Sequence, residues 1–270
     1  MSAHHRTREL SRREFVRLAA GLGIALAGGE WLRRQFVALD APQAEASEET
    51  PGAGPYWIMT IDLEACIGCR RCVFACQAVN DTADGHLWNI LIEDDTTFGK
   101  PVFITRPCMH CEHAPCVDVC PVGATYHREK DGLVEMNYDR CIGCRYCMVA
   151  CPYGVRVFNW KYNDAPNPQP AVWGAPEVPR RPRGVVEKCT FCTHRLDLPE
   201  KDPANYAGLR PGYDRAVTPA CCVVCPTEAR RFGDLHDPES PASQAMRGRQ
   251  VVVLRSNLGT NPRVYYLLPL

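Results

Sequence analysis

Residues 141–152 read Cys141-Ile142-Gly143-Cys144-Arg145-Tyr146-Cys147-Met148-Val149-Ala150-Cys151-Pro152. Two two-residue gaps and one three-residue gap place four thiols on a single loop and the turn that follows it. The same grammar recurs along the chain, and sixteen of the seventeen cysteines fall into four quartets. Cys66-x2-Cys69-x2-Cys72-x3-Cys76 keeps the spacing but has Gln77 where the proline stood. Cys108-x2-Cys111-x4-Cys116-x3-Cys120-Pro121 carries two extra residues before its third cysteine. The last quartet is split, Cys189-x2-Cys192 opening it and Cys221-x3-Cys225-Pro226 closing it after a long excursion.

Thiolates at this spacing ligate iron–sulfur cubes, and the run from Cys141 has the bacterial ferredoxin spacing, in which the fourth cysteine ligates the other cluster of a two-cluster unit. Each quartet reads as a tight loop supplying three thiolates, with the fourth cysteine starting a helix that leads away. The split quartet and the first nest around the other two, which pairs first with fourth and second with third. The expected ligand sets are Cys66, Cys69, Cys72 with Cys225; Cys189, Cys192, Cys221 with Cys76; Cys108, Cys111, Cys116 with Cys151; and Cys141, Cys144, Cys147 with Cys120. All-thiolate ligation predicts four [4Fe–4S] clusters. Zinc is the competing reading, but a four-cysteine zinc site needs only two C-x2-C knuckles and has no use for the remaining cysteines of each quartet. Disulfides are disfavoured between cysteines so close on one loop.

Residues 1–46 read as a twin-arginine export signal. Ser11-Arg12-Arg13-Glu14-Phe15-Val16-Arg17 leads into a weakly apolar stretch from Leu18 to Gly29 that is too short to span a bilayer, and Ala44-x-Ala46 is a candidate cleavage step. Export of a folded, cofactor-loaded chain predicts a periplasmic protein, attached to the membrane only through partner subunits. Lys plus Arg and Asp plus Glu both number 31, a balance that argues against a nucleic-acid partner.

Residues 47–55, with Pro51-Gly52-Ala53-Gly54-Pro55, form a linker. Strands are predicted from Tyr56 to Asp62, from Val102 to Thr105, and as a hairpin of Thr125 to His127 with Leu133 to Asn137. The fold class is α+β, with two pseudo-symmetric ferredoxin-like modules bearing long loop insertions. Residues 56–98 with 185–235 make one module and residues 100–160 the other. The insertion over 161–184 and the residues just beyond it carry six prolines from Pro166 to Pro182 and are either an ordered wrap or a mobile loop. Residues 236–270 form a C-terminal extension whose apolar runs, Val251 to Leu254 and Val264 to Leu268, cover a module edge or meet a partner.

Cys221 keeps the three-residue gap to Cys225, so Cys222 is the spare thiol. His110, His113 and His194 lie beside the quartets and are read as tuning the sulfurs through hydrogen bonds. Arg70, Arg71, Arg145 and Lys188 adjoin ligands, where positive charge favours a reduced cluster, or else are solvated surface. There is no C-x2-C-H haem site, no glycine-rich dinucleotide fingerprint and no Ser/His/Asp signature. Electron transfer without catalysis by this chain follows. The alternatives are a structural or metal-binding protein without redox role, and a self-contained reductase.

From about Tyr56 to Leu268 the chain resembles the four-cluster ferredoxin-like subunits of membrane-associated molybdopterin oxidoreductases and related anaerobic respiratory complexes. Pro107-Cys108-Met109-His110-Cys111, Cys120-Pro121-Val122-Gly123-Ala124-Thr125, Cys151-Pro152-Tyr153-Gly154, Lys188-Cys189-Thr190-Phe191-Cys192 and the Val264-Tyr265-Tyr266-Leu267 ending carry the resemblance, with the run from Cys141 to Cys147. It implies clusters in a row that join a catalytic molybdopterin subunit to a quinone-reactive membrane subunit of the polysulfide-reductase type, or to a cytochrome. The exported relatives of sulfite, tetrathionate, polysulfide and nitrite reduction look nearest.

Overall fold

The computed structural model describes residues 54–95, 101–162 and 164–269. The export motif, its cleavage step and most of the linker lie outside the described residues. Among the described residues ten strands follow in chain order: β1 (Trp57–Asp62), β2 (Ile90–Asp94), β3 (Val102–Arg106), β4 (Thr125–His127), β5 (Val134–Met136), β6 (Val157–Phe158), β7 (Val186–Glu187), β8 (Arg230–Asp234), β9 (Val251–Val252) and β10 (Val264–Leu267).

β1 is a run of aromatic, β-branched and long apolar side chains, and it is buried on both faces because it is a central strand. β8 pairs with it antiparallel, Met59 opposite Phe232, and β10 pairs parallel on its other side, Met59 opposite Val264. β9 then closes the order β8-β1-β10-β9. The C-terminal apolar runs therefore cover an edge of β1, and the two ends of the described chain are stitched into one sheet. The other strands form three two-stranded antiparallel ribbons, β2-β3, β4-β5 and β6-β7. The core beneath them combines Ile61, Leu133, Phe191, Phe232 and Tyr266 with the cysteines themselves.

The helices begin earlier than the spacing suggested. Arg71–Val79 already contains Cys72 as well as Cys76, and Pro115–Asp118, Tyr146–Ala150 and Ala220–Val223 contain Cys116, Cys147 and Cys221. In the first quartet the third and fourth cysteines both lie on the helix; in the second, third and fourth quartets the third cysteine lies on the helix and the fourth comes at or beyond its end. The cause is a left-handed residue just before the helix in the first and third quartets, Arg70 at φ 60° and Arg145 at φ 64°, which turns the chain into the helix one residue before the third thiol. With three residues between them, the third and fourth cysteines stand about one turn apart on the same side of the chain.

The proline-rich segment is ordered as a strap across the helix Arg71–Val79. The Asn167 side-chain amide donates to the carbonyls of Gln77 and Ala78 at 3.2 and 3.1 Å, a second donor for acceptors that the Thr82 and Asp81 amides also reach at the helix end. Gln169 donates to the Gln77 side chain at 2.9 Å, and Trp173 packs on Phe74 with ring centroids 5.5 Å apart. Farther on, Arg195 and His194 both donate to Glu177, fastening the strap to the helix Thr193–Leu196. Among the described residues no helix is long and apolar enough to cross a membrane.

Candidate iron–sulfur sites

Four loops present the C-x2-C pairs, and in each the residue before the second cysteine has a positive φ: Gly68 at 68°, His110 at 45°, Gly143 at 71° and Phe191 at 54°. Left-handed residues at such places turn backbone N–H groups toward the inside of a loop, the arrangement that cradles anions. The amides of Gly68 and Phe191 accordingly reach the sulfurs of Cys66 and Cys189, the latter at 3.4 Å. Glycine adopts this conformation freely. His110 and Phe191 adopt it under constraint: both are fully buried and stack on each other with ring centroids 4.0 Å apart.

The structure gathers the sixteen cysteines into four rings. Ring 1 is a hollow lined by Cys66, Cys69, Cys72 and Cys225. Ring 2 brings Cys76 beside Cys189, Cys192 and Cys221, with the Asn80 amide 3.6 Å from the Cys76 sulfur and 3.8 Å from that of Cys192. Ring 3 is lined by Cys108, Cys111, Cys116 and Cys151, and ring 4 by Cys120, Cys141, Cys144 and Cys147. Each ring takes three sulfurs from one quartet and the fourth from another. The rings form a sequence: Cys72 of ring 1 lies in the field of Cys221 of ring 2, Cys189 of ring 2 in that of Cys108 of ring 3, and Arg156 touches both Cys116 of ring 3 and Cys147 of ring 4. Cys69 and Cys144, at the two ends, are exposed, whereas all four thiols of ring 2 are buried.

The donor chemistry fits a cube. Each ring offers four sulfurs, the ligand set of a [4Fe–4S] cluster. A single tetrahedral zinc would need four sulfurs mutually about 3.8 Å apart. The cysteines stand around hollows instead, and among the described residues no three His, Cys, Asp or Glu side chains converge tightly enough for one ion. Burial pushes up the thiols of Cys72, Cys76, Cys116, Cys189 and Cys192, and that of Cys111 to about 12. The opposite case is Cys120 in ring 4: burial there is outweighed by amides of Thr125, Val122 and Ala124, which favour the thiolate, Ala124 donating at 3.2 Å.

Cys222 hydrogen-bonds to Cys221, and that contact holds the Cys221 thiol below its ordinary range and, ahead of burial, raises that of Cys222. Of the three histidines, only His110 is buried among the thiols; burial, then the charges of Lys188 and Arg263, keep it neutral. His113 is exposed and His194 serves the strap. Arg70, Arg71 and Arg145 are solvent-exposed, Arg145 lying over the Trp160 ring at 4.6 Å. Lys188 is fully buried.

Two buried arginines beside the rings, Arg156 and Arg230, escaped the reading of the sequence. Arg156 donates to the Cys116 sulfur at 2.9 Å, and Arg230 hydrogen-bonds Cys72. The signal was there: each stands five residues after the last cysteine of its quartet, Cys151 and Cys225.

A chain with several ferredoxin-type thiol rings is an iron–sulfur electron-transfer protein, and comparison with known proteins gives the same class. A 4Fe-4S dicluster domain matches residues 100–167 and a 4Fe-4S binding domain matches residues 57–78. The iron–sulfur cluster-binding subunit of a menaquinone reductase from Nitratidesulfovibrio vulgaris is 42% identical over 226 residues, covering 78% of this chain and 88% of that protein. The arsenate respiratory reductase iron–sulfur subunit ArrB of a Shewanella species is 39% identical, covering 77% and 94%. Protein NrfC of Escherichia coli is 34% identical, covering 87% and 94%. The chain belongs to the family of iron–sulfur electron-transfer subunits of molybdopterin oxidoreductases and related reductase complexes, and it carries [4Fe–4S] clusters, four being the number that fits the family.

Proposed function

We propose that this chain is an exported electron relay in which rings 1 to 4 hold four [4Fe–4S] clusters in a row, carrying electrons between a catalytic molybdopterin subunit and a quinone-reactive membrane subunit or a cytochrome. Rings 1 and 2 belong to the module of residues 56–98 with 185–235, and rings 3 and 4 to that of residues 100–160. The repeated left-handed residues Arg70 and Arg145, and the matching arginines Arg156 and Arg230, support a pseudo-symmetric relation between the two. When bound, the cubes supply reversible one-electron chemistry. The protein holds them by thiolate, donates amides to the sulfurs, and keeps water from the middle of the row.

The gradient of exposure carries this reading: Cys69 and Cys144 reach the surface at the two ends, while all four thiols of ring 2 and three of the four in ring 3 are buried, Cys151 being half-buried. Exposed apolar side chains cluster beside ring 4, where Ile142, Tyr146 and Val149 are 64, 62 and 88% exposed, the composition of a surface made to be covered. Arg12 and Arg13 of the export motif support a periplasmic location. Purifying the full chain anaerobically from the membrane fraction of its host tests the assignment. Co-purifying molybdenum and a multi-span partner are expected, with residues 1–46 removed; recovery of a molybdenum-free chain from the cytoplasm contradicts it.

A further inference from the structure

Three buried cations stand where successive rings meet. Arg156, 5% exposed, donates to the Cys116 sulfur of ring 3 and also hydrogen-bonds Cys147 of ring 4. Its remaining partners, the Thr125 hydroxyl and the Met136 sulfur, both at 3.3 Å, are neutral. Arg230, 3% exposed, hydrogen-bonds Cys72 of ring 1 and lies in the field of Cys221 and Cys189 of ring 2. Its other contacts repeat the neutral pattern: the Asn89 side-chain oxygen and the Thr105 hydroxyl at 3.0 Å, and the Met59 sulfur at 2.9 Å. Lys188, fully buried, bridges the middle: its ammonium donates to the Val134 carbonyl and to the Cys189 carbonyl, beside ring 2, and its charge reaches Cys116 of ring 3.

None of the three forms an ion pair with a carboxylate among the described residues. Glu135, a buried carboxylate in the field of Lys188, takes its hydrogen bond from Thr193 instead. Of the other buried or half-buried arginines, Arg181 is paired with Glu187 at 2.6 Å and Arg195, near ring 2, with Glu177, whereas Arg263 donates to the Asp131 carbonyl and lies over the Tyr56 ring. An unpaired buried cation is strongly unfavourable, so a group of opposite charge is called for within reach. The thiolate rings, which all three adjoin, are the source of that charge.

We propose that Arg230, Lys188 and Arg156 are gap cations, one between each successive pair of clusters, that raise the reduction potentials of both neighbours and offset the repulsion between them when an electron sits on either. The inference rests on the four-cluster reading above. The cations exchange neither proton nor electron: one electron enters at one end of the row and one leaves at the other. Because a cluster becomes more negative on reduction, a fixed positive charge beside it favours the reduced form, and two clusters sharing one cation must respond together.

The test is a potentiometric titration of the purified full chain, anaerobic, followed by electron paramagnetic resonance, in Arg156→Gln, Lys188→Gln and Arg230→Gln. Each variant is expected to shift exactly two of the four midpoints to lower potential, by at least a tenfold change in reduction equilibrium, about 59 mV for one electron. The pairs must overlap in order: the Lys188 pair shares one cluster with the Arg156 pair and one with the Arg230 pair, and those two pairs share none. Arg156→Lys, which keeps the charge, should restore the wild-type midpoints. Four unshifted midpoints, or a shift confined to one cluster, overturn the gap-cation role while leaving the relay intact; wild-type protein without four reducible centres refutes the relay itself. Should Arg156→Gln fail to assemble, Arg156→Lys decides: four clusters at wild-type midpoints support the charge, and their loss shows that guanidinium geometry is what matters.

Discussion

Replacing Gly143 by alanine should remove one cluster and leave the other three. Gly143 sits in the loop of ring 4 at φ 71°, and a Cβ there would lie 2.3 Å from the Gly184 carbonyl oxygen and 3.1 Å from the Phe158 ring. The left-handed conformation alone costs an alanine roughly 1–2 kcal/mol. The clash adds roughly 1–3 kcal/mol, the range for overpacking, since the obstacle is backbone. That backbone is pinned: the Gly184 amide donates to the Asn159 carbonyl at 2.8 Å beside the β6-β7 ribbon. Opening of the Cys141–Cys144 loop is therefore favoured by roughly 2–5 kcal/mol, about thirtyfold or more at 1.4 kcal/mol per decade. Gly154 is the matched control, with φ 60° but nothing within 4 Å of its Cβ position, so Gly154→Ala meets only the backbone term. Iron and acid-labile sulfide analysis of anaerobically purified protein should find about twelve irons in Gly143→Ala and about sixteen in Gly154→Ala, at four per cube. A full complement in Gly143→Ala, or equal losses in the two variants, would refute the argument.

Cys222→Ala should retain four clusters, whereas Cys221→Ala should lose the one in ring 2, read as one fewer signal in the reduced spectrum. The hydrogen bonds of His194 and Arg195 outweigh burial and hold the Glu177 carboxyl at about 2. The folded value lies below the unfolded one, so its contribution is present above about pH 4.5 and is lost as pH falls through about 2. Glu177→Gln abolishes that contribution at every pH, and hydrogen exchange near pH 6 should show faster opening of the strap around Trp173 than in wild type. Arg128 donates to both Asp131, at 2.7 Å, and Asp197, at 2.9 Å, tying the β4-β5 hairpin to the end of the helix Thr193–Leu196. Arg128→Met removes that partner from both carboxylates, Asp197 keeping Lys130 and Asp131 the Leu133 amide, and thermal unfolding should show a loss of roughly 1.5–3 kcal/mol, the scale for hydrogen bonds to charged groups.

Legibility followed the range of the interactions. Cysteine spacing is local, and so is the β4-β5 hairpin turning at Asp131-Gly132, where the structure places strands within a residue of those expected. β2 was missed because Ile90-Leu91-Ile92-Glu93-Asp94 has no alternation and depends on β3 across a long loop. β8 was missed because Arg230-Arg231-Phe232-Gly233-Asp234 looks like surface until Arg230 turns inward to a thiol ring. The strap was undecidable from six prolines alone: its order comes from Asn167, Gln169 and Glu177 meeting a distant helix and its neighbours. Membership of an electron-transfer family was legible, because the chemistry of a cube demands its ligands at close spacing.

The central claim is that the thiol rings hold four iron cubes in series. Metal and sulfide analysis of the full chain, with spectra recorded during stepwise reduction by dithionite, tests it most directly. About sixteen irons with matching sulfide, and four reducible centres whose spectra broaden as neighbours become paramagnetic, are predicted at four irons per cube. Zinc in the rings, disulfide-bonded cysteines, or four centres that reduce without sensing one another would contradict the account.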